Sequence, residues 1–554
     1  MAQILPIRGR HGVLASVGVL LAACATHRTP PPTNDIDENV YRDHVRELAS
    51  DDYAGRRPGS PGEDKTVAYL VEQFRKLKLK AGNGASYLQQ VPMVEIQAGA
   101  DASMSIQGSR GTRVLGMGGD LVIWCPRARP QAALRGSDLV FVGYGIVAPE
   151  YGWNDYAGID VHGKTVIVLS GDPGFAAKDP RVFKGDAVTR YGALAYKIDE
   201  AARNGAEAVL AIHDGQTSGY TWSQVQNTWM GPQLMLAAAG GQAGPKVAGW
   251  IHNAAARELF AAGGLDFAAV TAAAARPGFR PLAMNLRADT SFGNSIRQFN
   301  SANVIALLPG ASRRNEYVVY TAHWDHLGSD ATRPGHNIFN GAVDNASGVA
   351  GLLAVAQSFT RTTPAADRSI VFLATTGAER GSLGAGYYVE NPVFPLKATA
   401  AVINLDTLHT GGPTRDVSVM GFGNTDLEDA AQAEALLQGR ELKSDPTPLR
   451  GEYFRSDNFA FAKAGVPALY VKGGIDDTAR GPAWGRARLD DYTAHRYHET
   501  SDQYSADWDV RGTIEDLTLY FSVGNRLARS RRFPHWYPNS EFRVIRGTEP
   551  RAAE

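Results

Sequence analysis

The segment IVFLATTGAERGSLGAGYY, residues 370–388, gives the clearest indication of the fold. It begins as an apolar run with β-branched and aromatic side chains, a pattern that predicts a strand buried on both faces. The segment then changes into a Gly-rich loop, in which Glu379 is the one acidic residue. A carboxylate there lies beyond the end of the predicted strand, which is where open α/β sheets bind their ligands.

Three further apolar runs predict strands of the same kind. They are EYVVYTA at 316–322, ATAAVINL at 398–405 and VPALYVKGG at 466–474. His323 follows the first run and Asp406 follows the second, and helical patterns alternate with the strands from residue 296 to about 530. This alternation predicts a doubly wound α/β sheet, so the polar residues after the strands are expected to converge at one edge.

Two histidines and three carboxylates at strand or loop ends form a candidate set of metal ligands. They are His323, Asp344, Glu379, Asp406 and His498. Asp344 lies in a Gly- and Asn-rich turn before a helical pattern, where it is either a helix cap or a ligand that backbone can bring close to an ion. Mixed nitrogen and oxygen donors suit zinc, and cobalt and manganese accept the same set. Asp325 stands two residues after His323, a spacing that lets its carboxylate hold the other ring nitrogen of His323.

The composition excludes some classes of function. A chain of 554 residues is expected to form two or three domains. Its formal net charge of -1 lacks the basic excess of a nucleic-acid-binding protein, so no nucleic-acid partner is expected. Cys24 and Cys125 are the only cysteines, so a disulfide framework is not expected either.

The first 24 residues have the features of a bacterial lipoprotein signal. Arg8 and Arg10 precede the apolar run GVLASVGVLLAAC, which is too short to span a bilayer but suits a secretory signal. Its end, LAAC, resembles the lipobox in which Cys24 becomes the lipidated first residue; the alternative is a plain signal peptide with a chance cysteine. A proline-rich tether follows at 25–36. The prediction is an exported protein of the bacterial cell envelope, on the periplasmic side or outer membrane, held there only by its lipid anchor.

Five pieces of the second half carry a resemblance to a known family. They are HWDHLG at 323–328, NGAVDNASG at 340–348, INLDTL at 403–408, FRSDNFAFAKAGVPALYVKGG at 454–474 and RYHETSDQY at 496–504. In order and spacing they resemble the di-zinc aminopeptidases, whose superfamily also contains the glutaminyl cyclases. The resemblance covers residues 296–510 and implies a doubly wound mixed sheet, two zinc ions and removal of N-terminal residues from peptide substrates.

The resemblance also implies a role for each candidate ligand. Asp344 would bridge the two metal ions, His323 and Asp406 would complete one site, and Glu379 and His498 would complete the other. Asp325 would not bind a metal ion but would orient the ligand His323 through its other ring nitrogen.

Other polar side chains near these motifs receive lesser roles. His326 and His336 are interpreted as loop residues, and His409 as a candidate near the site. Tyr453 and Arg455 are candidates for contact with the oxyanion or the substrate, with solvated loop residues as the alternative.

Position 378 departs from the family pattern. In the family, a Glu-Glu pair supplies the general base first and a metal ligand second. The Gly, Leu-Gly and Tyr-Tyr residues that follow fix the register, so Glu379 matches the ligand and Ala378 occupies the base position. A shift by one residue would make Arg380 the ligand, which a guanidinium cannot be. This predicts impaired proton transfer, with Glu452 as a candidate replacement.

Three functions agree with these features. The first is a lipid-anchored zinc aminopeptidase with impaired catalysis. The second is a non-catalytic peptide- or protein-binding lipoprotein that keeps the metal site as a structural element. The third is an acyl transferase of the glutaminyl cyclase type, which the full set of five ligands disfavours because one metal ion is expected there.

The sequence features and resemblances together predict six parts of the chain. Two segments, FVGYGIVAPEYGWNDYAGIDVHGKTVIVLSGDPG at 141–174 and KIDEAARNGAEAVLAIHDG at 197–215, together resemble the protease-associated domain, a β-rich module that is found inserted in several peptidases. The parts are the signal peptide 1–24, the tether 25–36, an N-terminal part of the peptidase domain 37–129, the protease-associated domain 130–285, the zinc peptidase domain 296–535 and a tail 536–554.

Overall fold

The computed structural model describes residues 36–179, 181–237 and 244–543. The predicted signal peptide, the lipobox Cys24 and the tether up to residue 35 lie outside the described residues. Over the described ranges, no helix is long and apolar enough to cross a membrane.

Nine strands follow the first two α-helices of the described chain without an intervening α-helix, and strands and α-helices are interspersed after them. The strands are β1 Lys80–Ala81, β2 Leu88–Ala98, β3 Ser103–Gly108, β4 Gly111–Gly116, β5 Leu121–Trp124, β6 Gln131–Phe141, β7 Val147–Ala148, β8 Trp153–Asn154, β9 Thr165–Leu169, β10 Ala208–His213, β11 Gln233–Leu236, β12 Val247–His252, β13 Leu282–Leu308, β14 Arg313–His323, β15 Gly328–Ser329, β16 Ile338–Phe339, β17 Arg368–Thr375, β18 Thr399–Asn404, β19 Asp416–Val419, β20 Glu441–Ser444 and β21 Ala468–Gly473. The helices are α1 Glu38–Leu48, α2 Pro61–Lys76, α3 Pro173–Ala177, α4 Leu194–Arg203, α5 Trp222–Trp229, α6 Asn253–Ala262, α7 Phe267–Ala274, α8 Gly348–Arg361, α9 Leu383–Glu390, α10 Leu427–Leu437, α11 Asn458–Lys463, α12 Gly481–His495 and α13 Arg511–Arg529.

The four apolar runs of the sequence form parallel neighbours in one mixed sheet, the first sheet. Strand β14 pairs in parallel with β17 on one side and with β18 on the other, and β18 pairs in parallel with β21. Strand β13 joins β17 antiparallel, which makes the sheet mixed. The prediction of a doubly wound mixed α/β fold is confirmed.

Both faces of the first sheet are buried, as the continuous apolar runs predicted. Val318 and Tyr320 of β14 pack with α8 and α13 in one core cluster, whereas Val319 packs with α9 and α11 in another. Successive residues of a strand point to opposite faces, so each apolar residue of the run finds a core. This burial places the polar residues at the ends of the strands.

The chain between β2 and the middle of β13, residues 99–293, forms an inserted module. Strands β2 and β13 pair antiparallel from Leu88 opposite Val304 to Ala98 opposite Asn294, so the chain enters and leaves the module side by side. Inside the module, β6, β9, β10 and β12 run parallel in a second sheet. Strands β3, β4 and β5 join this sheet although they precede residue 130, and the protease-associated domain at 130–285 stays a prediction.

Candidate metal centre

Three adjacent strands of the first sheet bring candidate ligands to one edge. His323 is the last residue of β14, Glu379 follows the end of β17 by four residues, and Asp406 follows the end of β18 by two. Because β17, β14 and β18 are parallel neighbours, their carboxyl ends meet at one edge. The turn with Asp344 and the loop with His498 complete the set of five, and all five side chains come together.

The first cluster consists of His323, Asp344 and Asp406. The Nε2 atom of His323 lies 3.4 Å from Oδ1 of Asp344 and 3.4 Å from Oδ1 of Asp406. All three residues are buried, and their potential ligand atoms lie within 4.8 Å of one another.

The second cluster consists of Glu379, His326 and His498, with Asp344 shared between the clusters. The Nε2 atom of His498 lies 3.0 Å from Oε2 of Glu379 and 3.3 Å from Oδ2 of Asp344. On the other side, Nδ1 of His326 lies 2.5 Å from Oε1 of Glu379 and 4.0 Å from Oδ2 of Asp344. One Asp therefore faces both clusters through its two carboxylate oxygens.

Several candidate ligand atoms of both clusters are buried and, although they lie close together, make no hydrogen bond of acceptable geometry within the described ranges. They are Oδ2 of Asp344, Oδ1 of Asp406, Nε2 of His326 and Nε2 of His498. Leaving buried polar atoms unsatisfied is energetically costly, so such a concentration calls for a partner. Carboxylate oxygens and imidazole nitrogens converging in this way fit divalent cations.

The carboxylate of Asp325 holds the turn that carries Glu379, and the predicted contact with His323 is wrong. The Nδ1 atom of His323 lies 3.1 Å from the backbone oxygen of Asp325 and 3.8 Å from its Oδ1. The carboxylate instead accepts hydrogen bonds from the backbone N–H groups of Ala378 at 3.0 Å and Glu379 at 3.3 Å. Asp325 is fully buried, and these two donors satisfy a carboxylate better than one imidazole would.

Tyr453 does not face the clusters, contrary to its predicted role. Its side chain is buried in a separate core with Trp536 and Phe542, and its ring centroid lies 6.1 Å from that of Phe542. Arg455, two residues later, lines the cleft beside the clusters. Because Tyr453 is apolar over most of its surface, packing against aromatic neighbours outweighed exposure in the cleft.

The three other histidines near the motifs differ in how deeply their side chains are buried. His326 was interpreted as a loop residue, but the structure buries it against Glu379. His336 is partly exposed and its Nε2 lies 2.9 Å from Oδ1 of Asn340, as suits a loop residue. His409 lines the cleft, and burial lowers its pKa. The position of His326, three residues after His323 at the end of the same strand, was the signal available in the sequence.

Charge within the clusters raises the pKa of two imidazoles. Burial alone would lower the pKa of His323, but the carboxylates of Asp406 and Asp344 raise it well above its ordinary value. Burial likewise opposes protonation of His498, and Glu379 and Asp344 raise its pKa to about 10. Without a cation, protons on these imidazoles balance the carboxylates, and a bound cation would replace them.

Two adjoining cavities open beside the clusters. The first has a volume of about 590 Å³ and the second about 330 Å³, and Ala378, Glu379, Arg450, Arg455 and Tyr497 line both. Residues of the inserted module line the second cavity. Ala378 therefore lies at the junction of the two cavities.

Glu452 is a poor replacement for a carboxylate at position 378. It lines the first cavity, where its Oε2 lies 2.5 Å from Nζ of Lys472 and its Oε1 lies 3.4 Å from Nε of Arg450. Burial would raise its pKa, but Lys472 and Arg450 lower the pKa to about 2. A carboxylate that is so strongly paired is a weak base.

The mixed sheet and the buried centre define the class: an α/β protein with a histidine and carboxylate site at its strand ends. Residues 303–522 match the family model of Peptidase family M28. The matched range contains all five candidate ligands.

Solved structures to which the chain is similar include bacterial aminopeptidases. An aminopeptidase from Aneurinibacillus sp. strain AM-1 is 20% identical over 89% of this chain and 94% of that chain, with a TM-score of 0.51. A zinc aminopeptidase from Bacillus subtilis is 16% identical over 89% of this chain and 95% of that chain, with a TM-score of 0.45. A peptidase M28 precursor from Shewanella amazonensis is 15% identical over 91% of this chain and 99% of that chain, with a TM-score of 0.43. The first similarity shows the fold alone.

Proposed function

We propose that this protein is a zinc-dependent aminopeptidase whose proton-transfer step is impaired at Ala378. The observation that carries the proposal is the set of buried ligand atoms without partners in the described chain, Oδ2 of Asp344, Oδ1 of Asp406 and Nε2 of His498. The Peptidase family M28 match over residues 303–522 supports peptide substrates. The name of the Aneurinibacillus structure supports the choice of an aminopeptidase.

The donor sets fit two zinc ions. His323 and Asp406 would hold one ion, Glu379 and His498 the other, and Asp344 would contribute one oxygen to each. Zinc accepts such mixed sets of imidazole and carboxylate ligands. His326 would hold the carboxylate of Glu379 from outside, since its Nδ1 already lies 2.5 Å from Oε1.

The mechanism assigns separate tasks to the residues around the clusters. Two zinc ions bound there would acidify a water molecule and polarise the carbonyl group of the scissile bond. Asp325 keeps Glu379 in place through the backbone N–H groups of the turn. Arg455 has buried Nε and Nη1 atoms with no partner among the described residues, so it is placed to donate to a substrate oxygen in the cleft.

The step without a suitable residue is proton transfer to the leaving amine. The family places a carboxylate at the position of Ala378, and this side chain has no acidic group. General acid–base catalysis contributes about 10²–10⁴-fold to a rate, or roughly 3–5 kcal/mol of barrier. Since Glu452 is paired with Lys472 and Arg450, hydrolysis is expected to be slow by about that factor.

The same substitution favours a second candidate function. A protein that keeps both clusters and the cleft, but has Ala378 where the family has a carboxylate, can bind peptides without cleaving them. Bound metal would then hold the cleft in shape.

Hydrolysis of aminoacyl p-nitroanilides by zinc-loaded protein separates these functions. Ala378→Glu is the test variant, and Ala487→Glu is its matched control because it adds a carboxylate on exposed α12, also beside the first cavity. We expect slow cleavage by the natural protein, an increase of about 10²–10⁴-fold for Ala378→Glu and no increase for the control. Cleavage by Ala378→Glu and none by the natural protein would favour the non-catalytic, peptide-binding function. One zinc ion per chain with cyclisation of N-terminal glutamine would favour the cyclase.

We also propose export and lipid anchoring at Cys24, on the basis of the LAAC sequence. A cysteine at that position is the attachment site in the lipobox it resembles. Cys24→Ser is expected to move the protein from the detergent phase to the aqueous phase in a partition experiment. An unchanged distribution would contradict the anchor.

A further inference from the structure

Helix α5 of the inserted module contacts the candidate ligand His498. The Nδ1 atom of His498 lies 2.8 Å from Oγ1 of Thr228, and both residues are buried. The other ring nitrogen, Nε2, faces Glu379 and Asp344 at 3.0 and 3.3 Å. The two nitrogens of one imidazole thus serve different parts of the molecule, the second cluster and the inserted module.

Further hydrogen bonds join the same helix to the loop around His498. Asn227 donates from Nδ2 to the backbone oxygen of His498 at 2.8 Å. Gln224 donates from Nε2 to the backbone oxygen of Thr493 at 2.7 Å, and Ser223 donates from Oγ to Glu499 at 2.6 Å. Contacts from four residues of α5 therefore hold both the backbone of this loop and the side chain of His498.

His498 needs such support because of its backbone conformation. Its φ of 57° lies in the left-handed region, which non-glycine residues adopt at an energetic cost. Its ring also packs against aromatic neighbours: the centroid of Tyr497 lies 4.0 Å away, and that of Tyr220, from the inserted module, lies 5.8 Å away. The surroundings hold a conformation that an isolated loop would rarely keep.

The first cluster is held differently. The Nδ1 atom of His323 lies 3.1 Å from the backbone oxygen of Asp325, two residues along the same loop. The carboxylate of Asp406 accepts a hydrogen bond from Oγ of Ser456, which also belongs to the second half of the chain. Support for His498 instead comes from a residue 270 positions away, in the inserted module.

We propose that Thr228 is a positioning residue for the second cluster and that the inserted module is thereby a working part of the metal centre. The inference rests on the proposed metal site. A neutral imidazole carries one proton, and a hydroxyl that accepts from Nδ1–H keeps that proton away from Nε2. The lone pair of Nε2 then points between Glu379 and Asp344, ready for a metal ion.

The proposal predicts a selective loss of metal affinity. Partners that hold a ligating histidine from outside typically account for about 10–100-fold in metal affinity. Removing the Thr228 hydroxyl should lower the affinity for the ion at the second cluster by about that factor and leave the affinity at the first cluster unchanged.

The test measures zinc stoichiometry and affinity by competition with a chromogenic chelator, which needs no enzymatic activity. Thr228→Val removes the hydroxyl at nearly constant volume, and Thr228→Ser restores it. Thr271→Val is the matched control, since Thr271 lies on α7 of the same module and its hydroxyl donates to the backbone oxygen of Phe267. Thr228→Ala is the second test variant should Thr228→Val fail to fold.

We expect the affinity for one of the two zinc ions to fall about 10–100-fold in Thr228→Val and Thr228→Ala. The affinities of Thr228→Ser and Thr271→Val should stay close to those of the natural protein. Cobalt-loaded Thr228→Val should show an altered absorption spectrum for one of two ions. Natural affinity for both ions in a folded Thr228→Val or Thr228→Ala protein would overturn the positioning role. Failure of the natural protein itself to bind zinc would overturn the proposed function, and that outcome is read before any variant is compared.

Discussion

The two clusters share Asp344 but are built in different ways. The first cluster lies where β14 and β18 end, and its histidine is held by its own loop. The second cluster depends on a turn held by Asp325 and on a loop held by Thr228 of the inserted module. One half of the centre is thus a consequence of the sheet, whereas the other is assembled from distant segments and adjoins Ala378. Perturbations outside the sheet should act on the second half.

The largest effect is expected at the shared residue. Asp344→Ala removes an oxygen from each cluster, so we expect loss of tight binding of both zinc ions. Metal analysis after gel filtration in buffer with a weak chelator measures the remaining zinc. Asp330→Ala, on an exposed loop, is a control that should keep both ions. One tightly bound ion in Asp344→Ala would show that the clusters do not share this ligand.

The next largest effect should distinguish the two histidines beside Glu379. His498→Ala is expected to lose one ion, because its Nε2 faces both Glu379 and Asp344. His326→Ala should retain two ions and lose about 10–100-fold in affinity for one of them, as an outer partner would. Equilibrium dialysis with zinc measures both. The reverse order of effects would assign His326 as the ligand.

Zinc affinity should depend steeply on pH. The pKa of His498 is raised from 6.5 to about 10, so below that value each binding event must displace its proton. We expect affinity at the second cluster to rise about 10-fold per pH unit between pH 6.5 and about 10. Titration calorimetry in buffers of different ionisation enthalpy measures the protons released.

The stability of the metal-free protein should change in the opposite sense. A raised pKa in the folded state stabilises the protonated form, so this contribution is complete below pH 6.5 and is lost as the pH rises towards about 10. Thermal unfolding of metal-free protein across this range measures the effect. A stability that rises over the same interval would contradict the charge balance described for the clusters.

The smallest effect is expected at Asp325. Asp325→Asn keeps one acceptor but presents an amide to the turn, so it should disturb Glu379 more than His323. We expect about a 10-fold loss of affinity for one ion, at the low end of the range for outer partners. Weaker zinc binding at the first cluster instead would support the contact between the Asp325 carboxylate and His323 that the sequence predicts. Competition with a chelator, analysed for two ions, measures the difference.

The first cluster was largely readable from the sequence and the second only in part. Continuous apolar runs identify buried strands, and the residues that follow parallel neighbours must meet, which brought His323 and Asp406 together. The hydrogen-bond donors to Asp325 could not be predicted from the sequence, because they are two backbone N–H groups, which almost every residue type has. Thr228 lies 270 positions from His498, and no periodic pattern links two modules across that distance.

Zinc anomalous diffraction from crystals of the natural protein would locate the metal ions themselves. We expect two peaks, one beside His323 and Asp406 and one beside Glu379 and His498, with Asp344 between them. Two peaks would show that the chain binds both metal ions with Ala378 at the proposed base position. A single peak, or none at saturating zinc, would contradict the claim of a shared two-metal centre.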